Sequence, residues 1–178
     1  MDVVRLFRQA GHRHDGDAIS ELGHALHCAA LARRDRADDE VVLAALLHDI
    51  GHLAPGAIES PHEHHGTHGA RLLRPFVPVR VAWLVEHHVV AKQYLCTVDR
   101  RYEEQLSPAA LRSLALQGGR LVPAQQLALE TTPWFADAVR IRRWDDRARS
   151  ATSTCAPLSD YRELIERWLG PQSWPGEE

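Results

Sequence analysis

The sequence predicts an all-α protein folded as a single domain. Three observations carry this. Apolar residues recur mostly at helical spacing, no segment has the period-two alternation of a strand, and proline, glycine and serine punctuate the runs. At 178 residues, 44% of them hydrophobic, the chain suits one domain with a real core.

The first strong helix is expected from about Ala18 to Arg34, with Asp17 as cap and Ile19, Leu22, Leu26, Ala29 and Ala30 on its apolar stripe. A second runs from about Asp39 to Gly51, capped by Asp38 or Asp39 and stopped by Gly51. Pro55, Gly56 and Pro61 make the stretch from Leu53 to His64 a loop. A third helix starts near His65 and ends before Pro75, and a fourth spans roughly Val79 to Leu95 with a bend near Val89. Ser107-Pro108 pairs a cap with a first-turn proline and opens a helix to about Leu116, which Gln117-Gly118-Gly119 breaks. Pro123 opens a short helix to about Glu130, Pro133 another to Arg149, and an amphipathic helix covers about Ser159 to Leu169. Residues 1–12 and 170–178 are expected to be loosely held.

Composition excludes several classes of function. A net charge of −3 leaves no basic surplus to neutralise phosphates, so nucleic acid is not an expected partner. No apolar run reaches about 18 residues, so no membrane span is expected. The N-terminus lacks the apolar core of a signal peptide. Cys28, Cys96 and Cys155 are odd in number and widely spaced, and read as reduced thiols of a cytoplasmic protein.

Two residue types are used unusually. Most of the twelve histidines fall between His24 and His88, and every basic residue is an arginine except Lys92. Either Lys92 is a leftover of arginine-rich coding, or its position needs a compact ammonium that a planar guanidinium cannot replace.

The chemistry centres on His48-Asp49, within Ala44-Ala45-Leu46-Leu47-His48-Asp49-Ile50-Gly51-His52. An ionised carboxylate at the end of an apolar helix is costly unless it is paired or binds a metal. Adjacent helical residues point about 100° apart, so both reach one cation only where the helix opens. His24 lies upstream on an apolar helix and Asp145 far downstream beside Trp144. This order, His, His-Asp, Asp, resembles the HD-domain superfamily, whose members form an all-α helical bundle. Those four residues alone would make a one-metal site like that of HD phosphohydrolases.

His65, in His65-Gly66-Thr67-His68-Gly69-Ala70, and His88, in Glu86-His87-His88-Val89-Val90-Ala91-Lys92, extend the set. Imidazole and carboxylate suit iron, manganese or zinc. Asp49 could bridge two cations, with His24, His48 and Asp145 on one and His65 and His88 on the other. Each added histidine has a plainer reading, since His62, His64, His65 and His68 cluster in or near a loop, and His27 and His87 suit a surface equally well.

A closer resemblance covers about Gly16 to Trp168. The segments Val89-Val90-Ala91-Lys92-Gln93-Tyr94-Leu95, Leu116-Gln117-Gly118-Gly119 and Arg142-Arg143-Trp144-Asp145 are similar to those of the phosphonate-degrading HD-domain oxygenases (the PhnZ type), which are related to myo-inositol oxygenase. The resemblance implies a mixed-valent diiron enzyme (Fe2+/Fe3+) with dioxygen as co-substrate. It implies oxidation of a 1-hydroxy-2-(substituted)aminoethylphosphonate at C1, with release of phosphate and an amino acid such as glycine or an N-methylated glycine. By position it assigns the metals to His24, His48, Asp49, His65, His88 and Asp145. It assigns the phosphonate to His52, Lys92 and Arg142, with Ser113 and Gln117 nearby. Arg142 would bind the dianion bidentately and Lys92 as a point charge.

The chain departs from that family at three positions. His14 stands where relatives have an iron-bound tyrosine, so it is either a further metal ligand or, with His12, simply solvated. Asp17 stands where relatives have a glutamate facing the substrate amine, and is either a roomier ammonium site or only a helix cap. Ala110 replaces a serine that can occur in relatives. Two other functions compete. One is a metal-dependent HD phosphohydrolase acting on a nucleotide or small phosphate ester, with metal-bound hydroxide as nucleophile. The other is a non-catalytic HD module. Oligomeric state is not legible.

Overall fold

Helix formation begins almost at the first residue. In a computed structural model that describes residues 1–14, 19–54, 65–149 and 154–176, Asp2 caps α1 (Val3–Ala10) by accepting a hydrogen bond from the Arg5 amide at 2.9 Å. Val3, Val4, Phe7 and Ala10 bury one face of α1 in the core. The far end of the chain returns to it. The Gln172 side chain accepts from the Val3 amide at 2.8 Å, and buried Trp174 donates its indole N–H to Glu166 at 2.6 Å. Where the sequence suggests loosely held ends, the described terminal residues are fastened to each other and to the core. Helix α1 escapes a periodicity search because it has only two turns.

Ser20, not Asp17, caps α2 (Glu21–Arg34), accepting from the Gly23 amide at 3.2 Å; Asp17 lies outside the described residues. Asp38 caps α3 (Asp39–Leu47) through the Val41 amide at 3.0 Å. Residues Val41 to Leu47 are all buried, so α3 is apolar on every side and forms the central rod. Helices α2, α6 (Val79–Val98) and α10 (Phe135–Ala148) pack around it, and α10 also packs against both α2 and α6.

The single helix expected from Asp39 to Gly51 is divided. Helix α3 ends at Leu47, and α4 (Ile50–Leu53) restarts after Asp49, whose backbone sits at φ −100°, ψ 11°. Residues 55–64, expected as a loop, lie outside the described residues. Helix α5 (His65–Leu73) crosses α4 with backbone against backbone: a Cβ built on Gly51 would lie 2.1 Å from the His65 carbonyl oxygen and 3.0 Å from the Gly69 amide nitrogen.

Helix α6 runs unbroken through Val89 to Val98, beyond the expected end near Leu95. The short α7 (Arg100–Glu104) has no counterpart in the sequence expectation and starts where Asp99 caps the Arg101 and Tyr102 amides. Helices α8 (Pro108–Leu116) and α9 (Pro123–Glu130) begin at their prolines as expected. A 3₁₀ turn (Leu158–Tyr161) leads into α11 (Arg162–Leu169). No strand occurs among the described residues, and the all-α class is what the structure has. Among the described residues no helix is long and apolar enough to cross a membrane. The three cysteines form no disulfide.

Candidate metal centre

The break between α3 and α4 is what lets two consecutive residues point at one place. His48 ends α3, Asp49 opens α4, and both side chains turn toward His24 of α2 and Asp145 of α10. His48 Nε2 lies 3.2 Å from His24 Nε2 and 3.1 Å from Asp49 Oδ2. His24 Nε2 lies 3.1 Å from Asp145 Oδ1 and 3.5 Å from Asp49 Oδ2. The ligand atoms of these four buried residues all fall within 4.8 Å of one another.

Asp49 then turns its other oxygen to a second group. Oδ1 is 3.4 Å from both His65 Nε2 and His88 Nε2, which are 3.0 Å apart. Asp49 therefore belongs to two groups of convergent donors, one through each oxygen. Of the alternatives at His88 and His87, His88 is the buried one, while His87 stacks on Trp83 with ring centroids 3.8 Å apart. His27, for which the sequence leaves a surface place and a ligand role equally open, is buried on α2. His14 is exposed and belongs to neither group of candidate ligands. His62 and His64 lie outside the described residues.

The donor set fits cations. His48 and His88 donate their Nδ1–H to the carbonyls of Ala45 and Val85, at 2.9 and 2.7 Å, so their Nε2 lone pairs face inward. Burial opposes ionisation of both carboxylates, yet cationic neighbours outweigh it. His48 and the hydrogen bonds from His48 and His88 hold Asp49 well below the usual range, and Arg142 and Arg149 do the same for Asp145. Burial, helped by His52, pushes His65 far down, so it offers a neutral ring. His48 goes the other way: despite burial, Asp49 raises it well above its ordinary value. A metal ion would take the place of such a proton between imidazole and carboxylate.

A cavity of about 130 Å³ opens beside the two groups. Asp49, His52, His65, His88, Lys92 and Ser113 line it, and Gln117, Arg142 and Asp145 reach it too. The His52 ring stacks on His65 at 4.2 Å, with Nε2 4.0 Å from Asp49 Oδ1. Lys92 is buried and donates to Ser113 Oγ at 3.0 Å. Ala110 faces the same space from α8.

Arg142 differs most from the sequence expectation. Its guanidinium pairs with Asp145 Oδ2 at 2.7 Å and with Asp146 Oδ1, and its Nε donates to Tyr102 and Asp146, each at 3.2 Å. The planar fork that the resemblance assigns to a phosphonate pairs here with carboxylates, and it steadies Asp145 while lining the cavity. Tyr102 of α7 closes this network by donating to Asp146 Oδ2 at 2.7 Å. Sequence reasoning missed Tyr102, Asp146, Glu21 and Arg149, the last two of which also reach the cavity. Arg142, Asp145, Asp146 and Arg149 follow i, i+3, i+4, i+7 spacing on α10, and that signal was available.

An all-α bundle with a histidine–aspartate centre defines the class. A model of the HD domain matches residues 22–114, and the chain belongs to the HD-domain family. Within it the chain is of the phosphonate dioxygenase (PhnZ) type. It is 36% identical over 173 residues to a hydroxymethylphosphonate dioxygenase of Gimesia maris, covering 94% of this chain and 86% of the relative. It is 27% identical over 167 residues to a [1-hydroxy-2-(trimethylamino)ethyl]phosphonate dioxygenase (glycine-betaine-forming) of Leisingera caerulea, covering 91% and 85%. A 29% identical protein of Acanthamoeba polyphaga mimivirus, covering 94% and 80%, is uncharacterised.

Proposed function

We propose that this protein is a diiron HD-domain oxygenase that cleaves the C–P bond of a 1-hydroxyalkylphosphonate with dioxygen. The observation that carries the reading is the two-faced Asp49, whose oxygens face two groups of histidines, His24 and His48 on one side and His65 and His88 on the other. A hydrolase with only the His24, His48, Asp49 and Asp145 set has no use for His65 and His88. His24, His48 and Asp145 would hold one iron, His65 and His88 the other, with Asp49 shared. When bound, the iron pair supplies the binding and one-electron activation of dioxygen.

The chain's own residues do the rest. Lys92 and His52 bind the phosphonate end, and Ser113 fixes the Lys92 ammonium from α8. Arg142 and Tyr102 keep Asp145 in one orientation. The walls of the small cavity hold C1 near the centre and limit water. The finer expectation is a 1-hydroxy-2-(substituted)aminoethylphosphonate, which gives phosphate and glycine or an N-methylated glycine. Glu21 supports it as a carboxylate on the pocket wall outside the candidate ligand set. A second reading, hydroxymethylphosphonate, is favoured by the 36% identical relative, and one dioxygen per substrate then balances to formate and phosphate.

The test is aerobic incubation of iron-loaded protein with hydroxymethylphosphonate and with free-amine and trimethylated 1-hydroxy-2-aminoethylphosphonates. Oxygen uptake and phosphate release should match one to one with one of them. Phosphate release from a nucleotide or simple phosphate ester without oxygen uptake would instead establish the hydrolase.

Lys92 makes a pH prediction. Burial and then Arg142 lower its ammonium to about 8. The charged form binds the dianion, so kcat/KM should fall as pH rises through about 8. In Lys92→Arg the guanidinium stays charged, and this alkaline limb should disappear even if the overall rate is lower. An unchanged limb in the variant would remove Lys92 from phosphonate binding.

A further inference from the structure

Asp145 divides its two oxygens between Arg142 of its own helix and Arg149, the residue that caps that helix. Oδ2 pairs with Arg142 at 2.7 Å, and Oδ1 with Nε of Arg149 at 3.1 Å. Oδ1 is the oxygen that faces the first histidine group, 3.1 Å from His24 Nε2 and 3.9 Å from His48 Nε2. Arg149 also brings a terminal nitrogen to 3.7 Å from Asp49 Oδ2, the oxygen 3.1 Å from His48 Nε2. Its guanidinium thus shares the two carboxylate oxygens that complete the His24–His48 group. Arg142 pairs with Asp145 from the opposite side and is compatible with a metal there.

We infer that Arg149 is a displaceable cation. A metal ion entering the His24–His48 group takes Asp145 Oδ1 and Asp49 Oδ2 from the guanidinium, which then binds the anionic end of the substrate in the same cavity. This rests on the metal and phosphonate reading above.

The physical basis is competition for lone pairs. A guanidinium and a divalent ion cannot both be close to the same two oxygens without strong mutual repulsion at short range. Arg149 is the more exposed of the two arginines. Its side chain is 41% exposed at the end of α10, whereas the Arg142 side chain is 7% exposed and held by Asp145, Asp146 and Tyr102. Arg149 lines the cavity together with Lys92 and Ser113. A guanidinium turned from the carboxylates therefore meets an anion beside the Lys92 ammonium, and offers it a planar fork. Metal loading and anion affinity are coupled through one side chain, and the coupling is reciprocal.

The test uses Mn2+, which is stable in air, as the metal probe and methylphosphonate as the anion. Free Mn2+ is followed by its paramagnetic resonance signal during titration of wild type, Arg149→Gln and Arg149→Lys. Methylphosphonate binding to the manganese-loaded proteins is followed by calorimetry. Arg149→Gln should bind the first Mn2+ about fivefold more tightly, because a partly exposed competing ion pair is gone. The same variant should bind methylphosphonate about tenfold more weakly, for want of a charge-assisted donor. Arg149→Lys keeps the charge and should stay within about twofold of wild type for Mn2+. Equal Mn2+ affinity in wild type and Arg149→Gln overturns the competition, and equal methylphosphonate affinity overturns the substrate contact. Both results would leave the metal centre standing. A wild type that binds no Mn2+ or Fe2+ overturns the metal reading and this inference with it.

Discussion

Asp49→Asn is expected to empty both halves of the centre together. The amide has nearly the shape of the carboxylate but lacks the charge that each histidine group shares through one oxygen. Bound iron should fall at both positions, with a loss of turnover on the order of a thousandfold or more, the several kcal/mol that a metal ion contributes to such chemistry. His65→Ala or His88→Ala should remove iron from one position and leave the His24–His48 group loaded. Metal analysis of purified, iron-reconstituted variants reads this directly. An Asp49→Asn protein that keeps one tightly bound iron would show that the carboxylate is not shared. Circular dichroism of the same samples separates this outcome from misfolding.

Gly51→Ala should have the largest effect on the fold. The new methyl group would sit 2.1 Å from the His65 carbonyl oxygen, a backbone atom that no rotamer change can move aside. Helices α4 and α5 would have to separate. Overpacking of this kind costs about 3 kcal/mol, which for a chain of this size lowers Tm by roughly 6–12 °C. Because α4 follows Asp49 and α5 begins at His65, the same shift pulls apart the second donor group. Iron should be lost there before it is lost beside His24. A melting curve and metal content on one preparation test both consequences, and an unchanged Tm would mean that α4 and α5 do not cross so closely.

Local signals in the sequence proved legible where a short stretch of chain determines the outcome. Asp38, Ser107-Pro108 and Pro123 start helices at the expected places because a cap or a first-turn proline acts within one turn. Helices α1 and α7 were not legible, being too short for a period of 3.6 residues to stand out. Gly51 was misleading. It looks like a helix stop, but α4 continues through it to Leu53, and its lack of a side chain admits the backbone of α5.

The order of His24, His48-Asp49, His65, His88 and Asp145 along a chain of amphipathic helices was determined by the sequence alone. Local periodicity and residue chemistry suffice for that. Only the tertiary structure decided which oxygen of each carboxylate faces which histidines. The reach of Arg149 to Asp49 joins elements far apart in the chain, whereas the pairing of Arg142 with Asp145 and Asp146 lies within α10 and follows its spacing. Such directions depend on how helices cross, and spacing along a single helix carries no information about its neighbours.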